Sequence, residues 1–188
     1  TKGDDSSKTI GKTGPKQVDG ERASVRERVT FMLSGYHFSP SREKFDEAFE
    51  PAEATEALRE IASDDDVRPS LRSRAVDTLG FYDDDKTVSF LKGLLDGADE
   101  DAPKKEKRVA GVLRHHAIIS LARNHTDSQA VSLLDGLLED DNLQIRLTVI
   151  AALGEHAGEP GEKALVDFAD SAEDEIVRDE LSKYVDLE

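Results

Sequence analysis

The stretch "IRLTVIAALG" (residues 145–154) decides the fold, because its pattern returns along the chain. An aliphatic residue followed by arginine begins the stretch, and apolar residues then come mostly at offsets four, five and eight. The related segments are "VRERVTFMLS" (25–34), "LRSRAVDTLG" (71–80), "LRHHAIISLA" (113–122) and "VRDELSKYVD" (177–186). Successive segments begin 46, 42, 32 and 32 residues apart. A recurrence of this period predicts helical units stacked as repeats.

A second set of helical stretches lies between these segments. Their apolar residues recur three or four positions apart, as in an amphipathic helix, and no strand-like alternation of useful length is present. The stretches are 53–63, 86–97, 128–140 and 162–173. The sequence therefore predicts an all-α domain built from helix pairs.

The chain divides into a tail and one repeat domain. Residues 1–20 are rich in Gly, Ser, Thr, Lys and Asp, a composition typical of a flexible tail. Residues 21–188 form the domain, with an N-terminal cap at 21–50, because a terminal repeat lacks a neighbour on one face. The predicted repeats span about 51–82, 83–124, 125–156 and 157–188.

One repeat is longer than the two that follow it, and the extra residues lie in "DGADEDAPKKEKR" (96–108). One interpretation is a solvated loop with a new helix starting at Pro103. The other is a docking loop, because insertions in solenoids project from one face.

The repeated unit "LL-x-D-D-x-x-x-[IV]-R-x-x-[AV]-[IV]-x-x-L-G" resembles a HEAT repeat, in particular the bacterial HEAT-like type of the phycobilisome lyases. The resemblance covers roughly residues 50–188. It implies a right-handed α-α superhelical solenoid of about four helix pairs, whose second helices line a concave surface. Repeats of this type serve scaffolds, adaptors, inhibitors and a few enzymes, so the resemblance says more about fold than about function.

Composition narrows the classes of partner. The 188 residues include 25 basic and 41 acidic ones, for a net charge of −16. This charge repels phosphate backbones and disfavours nucleic acid, whereas it suits basic partners. Without cysteine the chain has no disulfide or thiolate metal site. No apolar run approaches the ~20 residues that span a bilayer. A bacterial protein of the secreted or envelope class and a cytoplasmic one both fit, and the oligomeric state stays open.

Arginine holds one position in every segment. The five residues are Arg26, Arg72, Arg114, Arg146 and Arg178. At ~100° per residue this position falls inside the apolar sector, so the side chain is expected to pack its stem and pair its head with acidic turn residues. The expected partners are Asp66, Asp141 and Asp174. The alternative is a ladder of arginines that binds anions.

The same helical wheel places offsets two, three, six and seven on an open side. There the sequence predicts a small binding patch rimmed by charge. Its residues are His115, His116, Ile119, Leu147 and Ala151. The alternative is that a loop or neighbouring helix covers them. No metal or cofactor is expected, because adjacent histidines on a helix point ~100° apart and no His-Glu dipeptide occurs.

These observations predict a non-enzymatic scaffold or adaptor that binds a protein or peptide along its second helices. The resemblance implies an alternative from another class, a lyase-like or chaperone-like enzyme component. No nucleophile–base pair or carboxylate dyad in the sequence favours that alternative.

Overall fold

The computed structural model describes residues 23–35, 41–124 and 127–187. These residues form ten α-helices and one 3-10 helix, and they contain no β-strand. The helices are α1 Val25–Leu33, α2 Arg42–Ala48, α3 Pro51–Ser63, α4 Pro69–Leu79, α5 Asp85–Gly93, α6 Lys104–Asn124, α7 Asp127–Leu134, the 3-10 helix Asp135–Glu139, α8 Leu143–His156, α9 Gly158–Ala169 and α10 Glu175–Leu181. The predicted all-α class is confirmed. The predicted tail, residues 1–20, lies outside the described residues.

The helices pair in chain order, α3 with α4, α5 with α6, α7 with α8 and α9 with α10. Neighbouring second helices contact one another, so that α4 touches α6, α6 touches α8 and α8 touches α10. Among the first helices, α3 touches α5 and α7 touches α9. This arrangement is a two-layer solenoid. Its predicted right hand and the predicted repeat boundaries stay predictions.

Local sequence signals begin the helices. Ser24 and Glu27 form a reciprocal capping box at α1, and proline occupies the first turn of α3 and α4. The Asp84 side chain caps α5 by accepting from the Thr87 amide, and Asn142 caps α8. The acidic clusters before the second helices, at 64–66 and 140–141, predict caps of the same kind. At α8 the cap is Asn142, whereas the Asp140 carboxylate accepts from the Asn142 amide and pairs with Arg114.

One apolar core runs from α1 to α10. Its largest fully buried side chains come from both layers and from the N-terminal cap. They are Phe45, Leu33, Leu58, Ile61, Leu79, Leu91, Ile118, Leu121, Leu134, Ile150, Leu153 and Leu165. Burying one such side chain contributes roughly 1.5–3 kcal/mol, so the continuous core holds the pairs in register.

Glycine after a helical segment predicts a left-handed helix end at Gly35, Gly80 and Gly154. Among the glycines that the structure describes, a positive φ occurs at Gly97 and Gly158 only. Gly154 lies inside α8, and a Cβ there would stand 2.3 Å from Cδ1 of Tyr184. This glycine therefore permits the close approach of a tyrosine ring from the end of the last pair, and the expected left-handed role is wrong.

In the part of the chain that the structure describes, no helix combines the length and the apolar character needed to cross a bilayer.

Candidate functional site

The candidate site is a stripe of side chains along one side of α6. Val112 and Ile119 each stand three and four residues from the adjacent pair His115 and His116, so the four side chains line one side of the helix. Val112 keeps 41% of its surface exposed, His115 is exposed, and the other two are half-buried. We call these four residues the α6 stripe.

His116 joins the α6 stripe to the preceding repeat. Its Nδ1 lies 2.7 Å from Oδ1 of Asp77 on α4. Because an ionised carboxylate only accepts hydrogen bonds, this contact places the hydrogen on Nδ1 of His116. The bond orients the ring and leaves Nε2 as the nitrogen available to another group.

His115 joins the stripe to the following repeat. Its Nδ1 lies 2.9 Å from Oγ1 of Thr148 on α8. The Thr148 hydroxyl donates to the Gln144 carbonyl at 2.7 Å, so in this arrangement it accepts from His115. Burial lowers the pKa of His115, and the neighbouring His116, whose ring stands edge-on with centroids 5.5 Å apart, lowers it further against the opposing effect of Asp77.

Two residues of the predicted patch belong to α8. Leu147 is half-buried and packs against the core, and Ala151, one turn later, is also half-buried. The His115–Thr148 contact brings the α6 stripe beside this part of α8. The structure therefore brings the five predicted residues onto adjoining helices, and it exposes the histidine end more than the aliphatic end.

The open side of the second helices is narrower than the wheel predicted. Four residues expected to be open are buried, namely Ser73, Thr78, Ser120 and Ala152. The physical reason is that second helices lie side by side, so each covers the flank of the next. Ser120 shows this directly, since its hydroxyl donates to the Val76 carbonyl of α4 at 3.1 Å.

The recurring arginines bridge successive repeats. Arg26, Arg114 and Arg146 each pair with an aspartate in the turn of the next repeat, and these aspartates are Asp64, Asp140 and Asp174. In each turn the other carboxylate oxygen accepts from the amide two residues later. We call these contacts the Arg–Asp junctions.

The acceptors differ in part from those expected. Asp174 was anticipated, but Asp64 and Asp140 take the places expected of Asp66 and Asp141, because their carboxylates both cap the turn and face the preceding helix. The side chains of Arg114 and Asp140 are each 16% exposed, so their pair is shielded from water. Arg178, on α10, donates to the carbonyl of Ala172 in its own helix pair at 3.4 Å.

Arg72 departs from the pattern. Its Nε donates to the Ala62 carbonyl at 2.8 Å, and its Nη1 lies 2.6 Å from Asp65 within the same repeat. Among the residues that the structure describes, the turn between α5 and α6 offers it no ion pair. That turn contains the extra residues of the long repeat.

The arrangement on α6 is suited to binding. His116 and Asp77 resemble a base and its orienting carboxylate, but the hydroxyl one turn along, on Ser120, is committed to a carbonyl. Over residues 23–35, 41–124 and 127–187, no three His, Asp or Glu side chains are grouped to hold a metal ion. The surface therefore presents hydrogen-bonding imidazoles beside aliphatic groups.

Sequence reasoning missed Val112. The recurring segment begins with the aliphatic residue at 113, so it does not include the residue before it. The signal was present, because Val112 stands three and four positions before the two histidines. The sequence also did not indicate that Arg72 pairs within its own repeat, since the segment around it matches the others.

Comparison with known proteins supports the repeat architecture. Residues 109–183, from the second turn of α6 through α10, match the family model described as HEAT repeats. No curated protein matches the sequence. The finer resemblance to the phycobilisome-lyase type stays a prediction.

Proposed function

We propose that this chain, which carries HEAT repeats, is a non-enzymatic scaffold. It binds a protein or peptide across its second helices. HEAT repeats generally serve as protein-interaction scaffolds, since stacked helices create an extended surface. The binding surface is the α6 stripe together with Leu147 and Ala151 on α8. The observation that carries the proposal is the stripe itself, an exposed valine and an exposed histidine in line with half-buried side chains.

The chemistry of the surface suits an apolar anchor on the partner. A mixture of aliphatic groups and imidazoles, held in place by bonds to both neighbouring helices, offers contact area without the loss of much side-chain entropy. His116 and His115 are already oriented by Asp77 and Thr148, so they are preorganised for a ligand.

Charge favours a cationic partner. The chain has a net charge of −16, and carboxylates of Glu155 and Asp179 are exposed on α8 and α10. A peptide with one apolar residue flanked by Lys or Arg would be attracted over the surface and anchored at the stripe. Its affinity should fall as salt is added, because screening weakens long-range attraction.

The test is a peptide-display selection against the full chain, followed by affinity measurements on the selected peptides. Val112→Arg places a cation in the stripe, and Val166→Arg is its matched control. The two valines have similar exposure, 41% and 45%, but Val166 lies on α9 in the first-helix layer. We expect Val112→Arg to weaken binding at least 10-fold and Val166→Arg to change it less than 2-fold.

Equal loss in both variants, or loss in Val166→Arg alone, contradicts a site on α6. Leu147→Asp is a poor test of binding, since Leu147 packs against the core and a buried carboxylate would unfold the repeat. His115→Arg is the better second variant, because His115 is exposed and its ring makes one hydrogen bond outside α6.

A further inference from the structure

A cavity of about 460 Å³ lies where the long repeat meets the one before it. The turn between α3 and α4, the end of α5 and the first turns of α6 surround it. Val67, Leu94, Val109 and Leu113 give it apolar walls. Its volume is within the roughly 300–1,000 Å³ typical of sites for small molecules.

The cavity lies at the junction where the recurring arginine, Arg72, pairs with no aspartate of the next repeat. Arg72 lines the cavity, and its side chain is only 12% exposed. At three other junctions the equivalent arginine meets a carboxylate from the next repeat. Here the chain instead makes a wider turn, with Gly97 in the left-handed conformation at φ 75°, and leaves open space.

The substitute partner of Arg72 is weakly held. Asp65 pairs with Nη1, but its own side chain is 91% exposed, so water competes for the carboxylate. The Nη2 atom of Arg72 donates to no residue that the structure describes. The guanidinium is therefore able to donate hydrogen bonds to a carboxylate from outside, through Nη2 and through Nη1 in place of Asp65.

We propose that this cavity binds a small organic acid with an apolar tail, whose carboxylate pairs with Arg72 and whose tail lies against Val67, Leu94 and Val109. The ligand carboxylate takes the role that an aspartate plays at the other junctions. Lys105, near the start of α6, also lines the cavity, and with Arg72 it balances the two carboxylates of the lining, Asp65 and Glu106. This site is separate from the α6 stripe, and its existence does not depend on the proposed scaffold function.

The probe is 4-phenylbutyrate, compared with its neutral amide, 4-phenylbutyramide. Binding to the full chain is followed by amide chemical shifts in two-dimensional NMR. We expect the acid to bind and to shift the resonances of α5 and the start of α6, and the amide to bind at least 10-fold more weakly. A peptide that ends in a free phenylalanine carboxylate carries the same chemistry, and a higher affinity for it assigns the natural ligand to a protein C-terminus.

Gly93 allows the cavity to be filled without strain. It lies at the end of α5 and lines the cavity, and a Cβ added there meets no atom within 4 Å. Gly93→Leu is expected to abolish binding of the acid while the protein stays folded. Gly93→Ala, its matched control, is expected to retain affinity within about 3-fold.

Asp65→Asn separates a ligand site from a merely structural arginine. If Asp65 competes with the ligand for Arg72, removal of its charge tightens binding of the acid by several-fold, and a structural arginine predicts no change. The proposal is overturned if the acid fails to bind at millimolar concentration, if the amide binds equally well, or if Gly93→Leu binds as wild type does. None of these measurements involves the α6 stripe.

Discussion

Two junctions between second helices can be compared, one between α6 and α8 and the other between α4 and α6. Both contain the recurring arginine segment, but the arginine has a different partner in each. In the first, Arg114 meets Asp140 in the next turn, and both side chains are 16% exposed. In the second, Arg72 turns back to Asp65, which is 91% exposed, and a cavity stands beside it. The comparison shows that contact between neighbouring repeats depends on the turn that joins the helices as well as on the helices themselves.

The cause of the difference is the length of one turn. Short turns place an aspartate opposite the preceding arginine, where it also accepts an amide of its own turn. The turn from Leu94 to Pro103 is long enough to swing its acidic residues away into solvent. The core is continuous across both junctions, so the repeat stacks despite the missing pair.

The largest contrast should lie between the packed core and the wall of the cavity. Leu153 is fully buried on α8, whereas Val109 is half-buried and borders the cavity. We expect Leu153→Ala to lower the free energy of unfolding by about 2–5 kcal/mol, because it leaves a void in a packed core. Val109→Ala should cost about 1 kcal/mol or less, since its side chain already faces open space. Urea unfolding followed by circular dichroism measures both, and equal losses would mean that the wall of the cavity is packed as tightly as the core.

The next largest contrast should be in the contribution of the two ion pairs to stability. Asp140→Ala strands the shielded guanidinium of Arg114, whose Nε already has no hydrogen-bond acceptor. We expect a loss of about 2–3 kcal/mol. Asp65→Ala should cost less than about 0.5 kcal/mol, because water replaces an exposed partner. Thermal unfolding of the two variants at one pH gives the comparison, and a costly Asp65→Ala would show that Arg72 depends on that residue.

A smaller effect is expected where α8 meets the last helix. Gly154→Ala forces the ring of Tyr184 to move, because the new Cβ would lie 2.3 Å from it. Overpacking of this kind costs about 1–3 kcal/mol, and the higher helix propensity of alanine offsets about 1 kcal/mol. Calorimetry should show a net loss of about 1 kcal/mol. The double variant with Tyr184→Ala provides the control, since removal of the ring should make the alanine harmless or favourable.

The smallest effect is a pH dependence on α6. Burial and the neighbouring His116 lower the pKa of His115 in the folded protein, with Asp77 acting in the opposite direction. The unfolded chain therefore binds a proton at His115 more tightly than the folded chain does. As pH falls through the range just below 6.5, the unfolded state gains that proton first and stability decreases.

The measurement is the difference between wild type and His115→Gln in urea midpoint at about pH 7.5 and about pH 5.5. Gln can keep a hydrogen bond to Thr148 but does not titrate, so the variant should lose less stability on acidification. A wild type that loses no more than the variant shows that His115 titrates alike in both states.

Much of the architecture could be predicted from residues alone. The recurring arginine segments correctly anticipated the second helices, and the start of α6 after Pro103 was also anticipated. It was harder to predict which face of each helix is buried. Thr78 and Ser120 fall on the polar side of a single-helix wheel, yet they are buried, because a wheel contains no neighbouring helix.

The candidate site shows the same limit. His115 and His116 were recognised by type and position, but their bonds to Thr148 and Asp77 join residues 33 and 39 positions apart. Such partners depend on the offset between neighbouring helices along their axes. The spacing of apolar residues in the sequence does not determine that offset. Val112 lies one residue before the recurring segment, so the repeated pattern does not include it.

The amino-acid sequence by itself determined that this protein is helical, paired and stacked, because apolar spacing and helix-starting residues are local properties of the chain. Tertiary structure decided which aspartate each arginine meets, how much of the histidine surface stays open and where a cavity remains. Those outcomes depend on the distance between one turn and the helix of a different repeat, and turn length alters that distance without changing the repeated pattern.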